Sequence, residues 1–244
     1  HVAIGINEHS KDAIIAVSHA TKQDVMRHLG VPEHKVTVIY EAPSPVFRPV
    51  DGPGPRRLVQ DHYGLSEDFI LFVSTLEPRK NVPMLLRAFR RLLDAYHPEV
   101  KLVIVGERGW LYDEVFRLAG DLLLGNDVAF LGRVPTEGLL CLDNTAQALA
   151  APSIYEGFGL TPLEAMACGT PAVVSNVSSF PEVVGDAGLL VDPHDPDELA
   201  VAMWRLLDDS ELRASLVEKG LKRAASFSWD KAAQETLQVY HSLA

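Results

Sequence analysis

Short apolar runs alternate with longer segments of mixed polarity along most of this chain. Eight runs have the length and composition of a β-strand: 13–17, 36–40, 69–73, 101–105, 128–131, 149–152, 171–175 and 189–191. The clearest four (13–17, 69–73, 101–105 and 171–175) are apolar at nearly every position instead of at every second one. That pattern predicts strands covered on both faces, as in a parallel sheet between helices.

The segments between these runs repeat apolar residues at helical spacing. Eight predicted helices follow: 20–29, 83–96, 111–124, 136–145, 162–168, 196–207, 211–225 and 229–243. Strands and helices that alternate on this scale are typical of a doubly wound, Rossmann-like α/β domain with a parallel sheet. We therefore predict this fold class.

One stretch interrupts the alternation. Residues 42–55 hold five prolines and two glycines, which excludes a helix or a central strand there and predicts an interdomain linker. Residues 1–41 are too few to bury a core alone. We expect them to be the end of a domain that begins upstream of His1, and we expect residues 56–226 to form the main domain.

Charge and composition exclude several function classes. The 244 residues include 22 Lys and Arg against 33 Asp and Glu, a formal net charge of −11, and no run of basic residues exceeds two. Nucleic-acid binding and strong attraction to anionic membranes are disfavoured, and an anionic ligand would need a local cationic pocket. No apolar run has the length of a membrane span, and no signal peptide is visible.

Two cysteines, Cys141 and Cys168, are too few for a disulfide scaffold, and no Cys/His spacing resembles a zinc site. We predict two reduced core thiols in a cytoplasmic protein. The acidic run 192–197 resembles a metal-binding loop, but Asp195 before Pro196 is better explained as a helix N-cap. No metal site is expected.

Two cations precede a predicted helix. Arg79 and Lys80 follow the strand 69–73, with Asn81 as expected N-cap and Pro83 in the first turn. Cations are unfavourable at the positive end of a helix unless an anion shares the site, and ligands of α/β domains bind where parallel strands end. Two interpretations remain open: a phosphate site, or side chains that extend into solvent and pair with Glu77.

The segment 152–169 carries two glutamates with seven residues between them, Glu156 in a loop and Glu164 in a predicted helix. A carboxylate can accept hydrogen bonds from two neighbouring hydroxyls of a sugar. Gly157 and Gly159 allow the backbone to approach a ligand closely.

Each of these features also has a purely structural explanation. Thr161 and Pro162 would place Glu164 in a capping box, and the spacing alone favours that role. Glu156 would then be a solvated loop carboxylate, and the two glycines would form a plain turn.

The same segment resembles a known family. Residues 156–160 and 164–171 look like the signature of family 4 retaining glycosyltransferases of the GT-B fold, and the loop 76–81 resembles their cationic loop. Supporting similarities extend the resemblance over most of residues 12–225: segments 16–18, 36–40, 131–134 and 181–188, and the proline-rich linker.

The resemblance implies two Rossmann-like domains with the active site between them. Residues 56–226 would bind the nucleotide-sugar donor, and residues 227–244 would form a helix that returns toward the N-terminal acceptor domain, of which residues 1–41 are the remnant. Arg79 and Lys80 would bind the diphosphate, Glu156 a sugar hydroxyl and Glu164 the ribose. Further donor contacts would come from Gly157, Phe158, Gly159 and Leu160, and from Arg133 and Val134 near the base.

By the same resemblance the reaction is a metal-independent, cofactor-free hexosyl transfer with retention, in which Arg79, Lys80 and Glu156 act catalytically. The donor would be GDP-mannose or a UDP-hexose, and the acceptor a saccharide or a lipid-linked molecule. We expect a cytoplasmic location, or one at the inner face of the membrane with at most peripheral contact. Without its acceptor domain the chain should bind donor and transfer little.

Two departures from the family pattern are visible. Ser74 and Thr75 stand where the family often has Gly-Arg. The family's histidine would lie upstream of His1; His19 is not at that position and is interpreted as a surface residue at a helix start. Two other functions compete: a non-catalytic nucleotide-sugar-binding module or subunit of a split enzyme, and a glycosidase. The glycosidase would need the Glu156 and Glu164 carboxyls about 5–9.5 Å apart at an open sugar site.

Overall fold

The computed structural model describes residues 12–107, 109 and 113–243, which form two parallel sheets. Strands β1 (Ile14–Ala16) and β2 (Val36–Val38) pair with each other. The large sheet has the order β5-β4-β3-β6-β7-β8. Its strands are β3 (Asp68–Val73), β4 (Val100–Val105), β5 (Val128–Gly132), β6 (Ala148–Ala151), β7 (Ala172–Ser175) and β8 (Leu189–Val191). All eight predicted strands are confirmed, and their bounds agree within two residues.

Helices connect the strands. They are α1 (His19–Leu29), α2 (Gly54–Tyr63), α3 (Val82–Tyr96), α4 (Asp113–Asp121), α5 (Thr136–Asp143), α6 (Leu160–Ala167), α7 (Phe180–Val184), α8 (Pro196–Asp208), α9 (Ser210–Ala225) and α10 (Trp229–Leu243). Each predicted helix is present, although the first two residues predicted for α4 lie outside the described residues. The sequence analysis missed α2 and α7.

The two missed helices have different explanations. Helix α2 begins inside the proline-rich stretch, at Gly54, with Pro55 in its first turn. Proline suits that position because its missing N–H would have no partner there, so the irregular segment ends two residues earlier than expected. Helix α7 has five residues, which is too short to show a periodic pattern.

The large sheet lies between two helical layers. Ile70 and Phe72 of β3 pack on one side with α3 and α8, whereas Phe69 and Leu71 pack on the other side with α2, α5 and α6. Successive strand residues point to opposite faces. Because both faces are covered, nearly every position of β3 must be apolar, which is the pattern that predicted the parallel sheet.

The strand order reverses between β3 and β6. From β3 the chain proceeds to β4 and β5 on one side, and then returns to place β6, β7 and β8 on the other. The loops after β3 and β6 therefore diverge and leave a crevice at the carboxyl ends of these strands. In open α/β sheets this is where ligands bind.

The large sheet together with helices α2–α9 is called the large unit below. The N-terminal segment, residues 12–41, is attached to it through the start of α1. The Glu182 carboxylate of α7 accepts hydrogen bonds from the backbone N–H groups of His19 and Ala20, both at 2.9 Å, and from the Tyr40 hydroxyl at 3.1 Å. A carboxylate is stabilised at the positive end of a helix. His19 is exposed at the helix start, as predicted.

The segment has little core of its own. Ala16, Val31 and Val36 form one small buried cluster, and Ile39 packs with Ala232 and Val239 of α10 in another. Within the described residues, no helix is both long and apolar enough to cross a bilayer.

The contribution of Glu182 to the stability of the protein can be measured. Glu182→Ala removes the acceptor of two helix N–H groups and of the Tyr40 hydroxyl, so we expect the free energy of unfolding to fall by about 1–2 kcal/mol. Urea denaturation followed by circular dichroism would measure it. Glu99→Ala, at an exposed position, should change stability by less than about 0.5 kcal/mol; equal effects of the two variants would contradict the assigned role.

Candidate functional site

Two loops face each other across the crevice. The loop after β3 ends in a short 3-10 turn, Pro78–Lys80, and the loop after β6 runs from Pro152 to Gly159. The backbone N–H of Ile154 donates to the Arg79 carbonyl at 2.8 Å, and the Asn81 side-chain amide donates to the Pro152 carbonyl at 3.1 Å. The two loops are therefore fixed to each other at their bases.

Glu156 is the centre of a charged cluster in this crevice. Its Oε1 lies 2.6 Å from Lys80 Nζ and accepts from the Ser153 hydroxyl at 2.8 Å, and its Oε2 lies 2.9 Å from Arg79 Nη1. The side chains of Lys80 and Glu156 are each only 13% exposed. Lys80 therefore does not extend into solvent, and Glu156 is not a freely solvated loop carboxylate.

Arg79 pairs with Glu77, as one of the two interpretations expected, and it also contacts Glu156. Its Nε pairs with Glu77 at 2.6 Å, while its Nη1 reaches Glu156, and its side chain remains 46% exposed. A half-exposed guanidinium at the rim of the crevice retains free donors for a ligand, since arginine has five N–H groups in all.

Asn81 occupies the N-cap position of α3 as predicted, but not by the expected interaction. Its backbone is left-handed, with φ of 58°, and its side chain donates to the carbonyls of Pro152 and Pro193 instead of accepting from a helix N–H. The side chain thus joins the loop after β3 to two other loops.

The capping box expected at α6 is wrong. The helix begins at Leu160, its N-cap is Gly159, and no side chain caps it, so Thr161 lies inside the first turn. Gly159 has a φ of 115°, and a Cβ there would lie 2.9 Å from the buried Phe180 ring. Only glycine fits this position. The first turn of α6, Leu160–Pro162, lines the crevice, and the first N–H groups of a helix have no partner within the helix.

Glu164 is therefore not used as a cap. Its carboxyl is largely buried, which raises its pKa to about 7, and among the described residues none hydrogen-bonds to it. The buried Asp143 lies close by, and one of its carboxyl oxygens has no hydrogen-bond partner. Burial and the negative charge of Glu164 raise the pKa of Asp143 well above its usual range. Mutual repulsion favours at least one proton on this pair of carboxyls.

A cavity of about 250 Å³ occupies the crevice. The carboxyl end of β3, Lys80, Glu156 and the first turn of α6 line it, and so does Glu41 from the N-terminal segment. Ser74, one of the two residues that depart from the family pattern, also lines it. Glu164 is not among its lining residues, so the two glutamates of a glycosidase do not meet at this cavity.

Glu41 is the lining residue that sequence reasoning missed. It directly follows the predicted strand 36–40, and a polar residue at the carboxyl end of a parallel strand is a signal that could have marked it. Its placement against Lys80 and Glu156, however, depends on how the N-terminal segment docks.

A second cavity, of about 310 Å³, lies over the carboxyl ends of β4 and β5. It is mainly apolar and is lined by Leu76, Ile104, Gly106, Phe116, Phe130, Leu131 and Gly132. Gly106 approaches the end of β3 so closely that a Cβ would lie 1.8 Å from the Ser74 carbonyl oxygen. Arg133 follows this cavity with its side chain 82% exposed and paired with Glu107, and Val134 packs into the core.

Neither cysteine is bridged, and both are buried, as predicted. Burial raises the pKa of Cys168 to about 12, which keeps it a thiol. Asp195 is an N-cap, since its side chain accepts from the N–H groups of Asp197 and Glu198. In the part of the chain that the structure describes, no group of three or more His, Cys, Asp or Glu side chains is placed to hold a metal ion.

The burial of Glu164 predicts a pH-dependent stability. The pKa of Glu164 rises from 4.5 to about 7 on folding. Its contribution to the free energy of unfolding is therefore fully present below pH 4.5 and is lost as the pH rises through about 7. At pH 8 we expect Glu164→Gln to be more stable than the wild type by up to about 3 kcal/mol, since each pKa unit corresponds to about 1.4 kcal/mol.

Urea denaturation of the two proteins at pH 5 and at pH 8 would measure this difference. Glu99→Gln is the matched control, because the same change at an exposed position should leave the pH dependence of the wild type unaltered. If Glu164→Gln loses stability at both pH values, the carboxyl has a structural partner after all.

Relatives named as glycosyltransferases match 70% to 96% of this chain. It is 35% identical over 234 residues to the O-antigen chain mannosyltransferase B of Escherichia coli, covering 96% of this chain and 61% of that protein. It is 39% identical over 180 residues to a D-inositol 3-phosphate glycosyltransferase of Corynebacterium jeikeium (strain K411), covering 70% and 43%. The chain therefore spans less than two thirds of the length of these relatives.

Solved structures share the fold. A glycosyltransferase from Rickettsia africae ESF-5 superposes with a TM-score of 0.85 at 20% identity, covering 96% of this chain and 64% of that one. Anabaena Alr3699/HepE in complex with UDP and glucose gives a TM-score of 0.84 at 24% identity, covering 95% and 63%. These similarities establish a GT-B architecture.

The family model for "Glycosyl transferases group 1" matches residues 61–223, from within α2 to near the end of α9. This match covers the large sheet and both crevice loops. The chain belongs to the group 1 glycosyl transferases.

Proposed function

We propose that this chain is the donor-binding part of a family 4 retaining glycosyltransferase, which transfers a hexosyl group from a nucleoside diphosphate sugar to an acceptor. The observation that carries this proposal is the Lys80–Glu156–Arg79 cluster beside the first turn of α6, at the point where the strand order reverses. It combines cations, free N–H groups and a carboxylate within one crevice.

The diphosphate is assigned to the cationic end of the 250 Å³ cavity. Lys80 and the N-terminal turn of α6 both line it, and helix N-termini together with lysine are common phosphate ligands. Glu156 is the counter-ion of Lys80 and Arg79 in this structure. A diphosphate would share these cations with it, while the Glu156 carboxylate accepts a sugar hydroxyl.

The nucleoside is assigned to the other side of the crevice. The apolar cavity over β4 and β5, with Phe116 and Phe130 in its wall, suits a planar base. The backbone around Arg133 and Val134 follows it directly. Glu164, which has unused hydrogen-bonding capacity, is assigned to the ribose hydroxyls.

In the proposed reaction the bond from the anomeric carbon to the diphosphate oxygen breaks, and a bond to the acceptor oxygen forms on the same face of the sugar. The acceptor proton passes to the departing diphosphate. Lys80 and Arg79 stabilise the negative charge that develops on that leaving group, which preorganised cations do effectively in a partly buried site. This mechanism requires no metal or cofactor.

GDP-mannose and UDP-hexoses are the proposed donors. The E. coli relative is named as a mannosyltransferase, and Anabaena HepE was solved in complex with UDP-glucose. The acceptor, a saccharide or a lipid-linked molecule, would meet the donor at the cytoplasmic face of the membrane. We assign its binding to the N-terminal acceptor domain that the family resemblance implies.

Calorimetry with UDP, GDP and ADP tests the donor site directly. We expect at least one to bind, and we expect Lys80→Ala to weaken that binding by about 10- to 100-fold, because a charge-assisted hydrogen bond contributes about 1.5–3 kcal/mol.

Lys219→Ala is the matched control for this experiment. Lys219 is a half-exposed lysine of α9 that also pairs with a carboxylate, Asp186, but it does not line the crevice. Its substitution should leave nucleotide affinity unchanged. Absence of heat with all three nucleotides would refute the assignment of a donor site.

A further inference from the structure

Glu41 lines the 250 Å³ cavity from a different part of the chain than the other lining residues. It belongs to the N-terminal segment, three residues after the end of β2, whereas the other residues lining the 250 Å³ cavity come from the large unit. Tyr40 before it is held by Glu182, and Ala42 after it is only 2% exposed. The backbone of Glu41 is thus fixed on both sides.

The Glu41 carboxyl makes no polar contact within the described residues that would stabilise the fold. Among the described residues none forms a hydrogen bond or ion pair with it, whereas the other two charged groups lining the cavity, Lys80 and Glu156, are paired with each other. Partial burial raises its pKa. A carboxyl withdrawn from water without a partner costs free energy, so a contact with a ligand would account for its position better than a contribution to stability.

The chemistry of the cavity limits what this ligand group can be. A carboxylate repels phosphate and accepts hydrogen bonds from hydroxyls. Lys80 and the first turn of α6, by contrast, favour an anion in the same cavity. A molecule that joins a phosphate to a ring with several hydroxyls satisfies both groups at once.

We propose that Glu41 binds a hydroxyl of the donor's hexosyl group and helps to select the sugar. This inference rests on the donor site proposed above. Glu41 lies outside the two crevice loops and helix α6, on which that site is proposed. The sugar would then lie between Glu156 on the large unit and Glu41 on the N-terminal segment.

The contacts around Glu156 support such a shared sugar site. Ser18 and Thr21 of the N-terminal segment donate their hydroxyls to the Gly157 carbonyl, at 2.6 and 2.9 Å. The loop that holds Glu156 is therefore fixed directly to the segment that carries Glu41. Recognition of the sugar would depend on this docking, whereas the nucleoside cavity is built entirely from the large unit.

The test compares each nucleotide with its sugar derivative by calorimetry on this chain: UDP with UDP-glucose, and GDP with GDP-mannose. Glu41→Gln and Glu41→Ala should weaken binding of the preferred nucleotide sugar by about 10-fold. Affinity for the nucleoside diphosphate alone should be unchanged or slightly higher, since a nearby negative charge is removed. Glu99→Gln, at an exposed position, should alter neither affinity.

The outcomes separate this inference from the function on which it rests. If the wild type binds neither nucleotides nor nucleotide sugars, the donor site itself is refuted and Glu41 loses its role with it. If the wild type binds both but the Glu41 variants keep the wild-type ratio of the two affinities, only the role of Glu41 is refuted. A ratio that falls in the variants, with thermal stability preserved, supports the sugar contact.

Discussion

The ion pair between Lys80 and Glu156 is the interaction on which the site depends. It joins the loop after β3 to the loop after β6, and those loops diverge only because the strand order reverses between the two strands. Both side chains are largely withdrawn from solvent, so each needs the other as a counter-charge. A ligand with negative charge and hydroxyl groups can use both, because it offers an anion to the lysine and hydrogen-bond donors to the carboxylate.

The second constraint is the seam between the N-terminal segment and the large unit. Glu182 holds the start of α1, and Ser18 and Thr21 hold the Gly157 carbonyl beside the ion pair. The segment has too small a core to be ordered by itself. Its polar contacts with the large unit therefore fix its position, and the same contacts place Glu41 at the crevice.

Much of the fold follows from local sequence. The strands of the large sheet are covered on both faces, so runs such as 69–73 are continuously apolar and are easily recognised. Helix α7 was missed because five residues carry no periodicity, and the start of α2 was missed because proline is as compatible with a first helical turn as with a linker. The choice there depends on whether Val59 finds a core to pack against.

The sequence by itself determined the alternation of strands and helices, the proximity of Arg79 and Lys80 to a strand end, and the presence of two glutamates on one loop-helix segment. Only the tertiary structure decided that Gly159 and not Thr161 is the N-cap of α6, that Glu164 is buried beside Asp143, and that Glu41 reaches the crevice. The reason is physical. Strands and helices are specified by neighbouring residues, whereas burial and the pairing of charges depend on residues far apart in the chain, such as Lys80 and Glu156 at a separation of 76 positions, which only packing brings together.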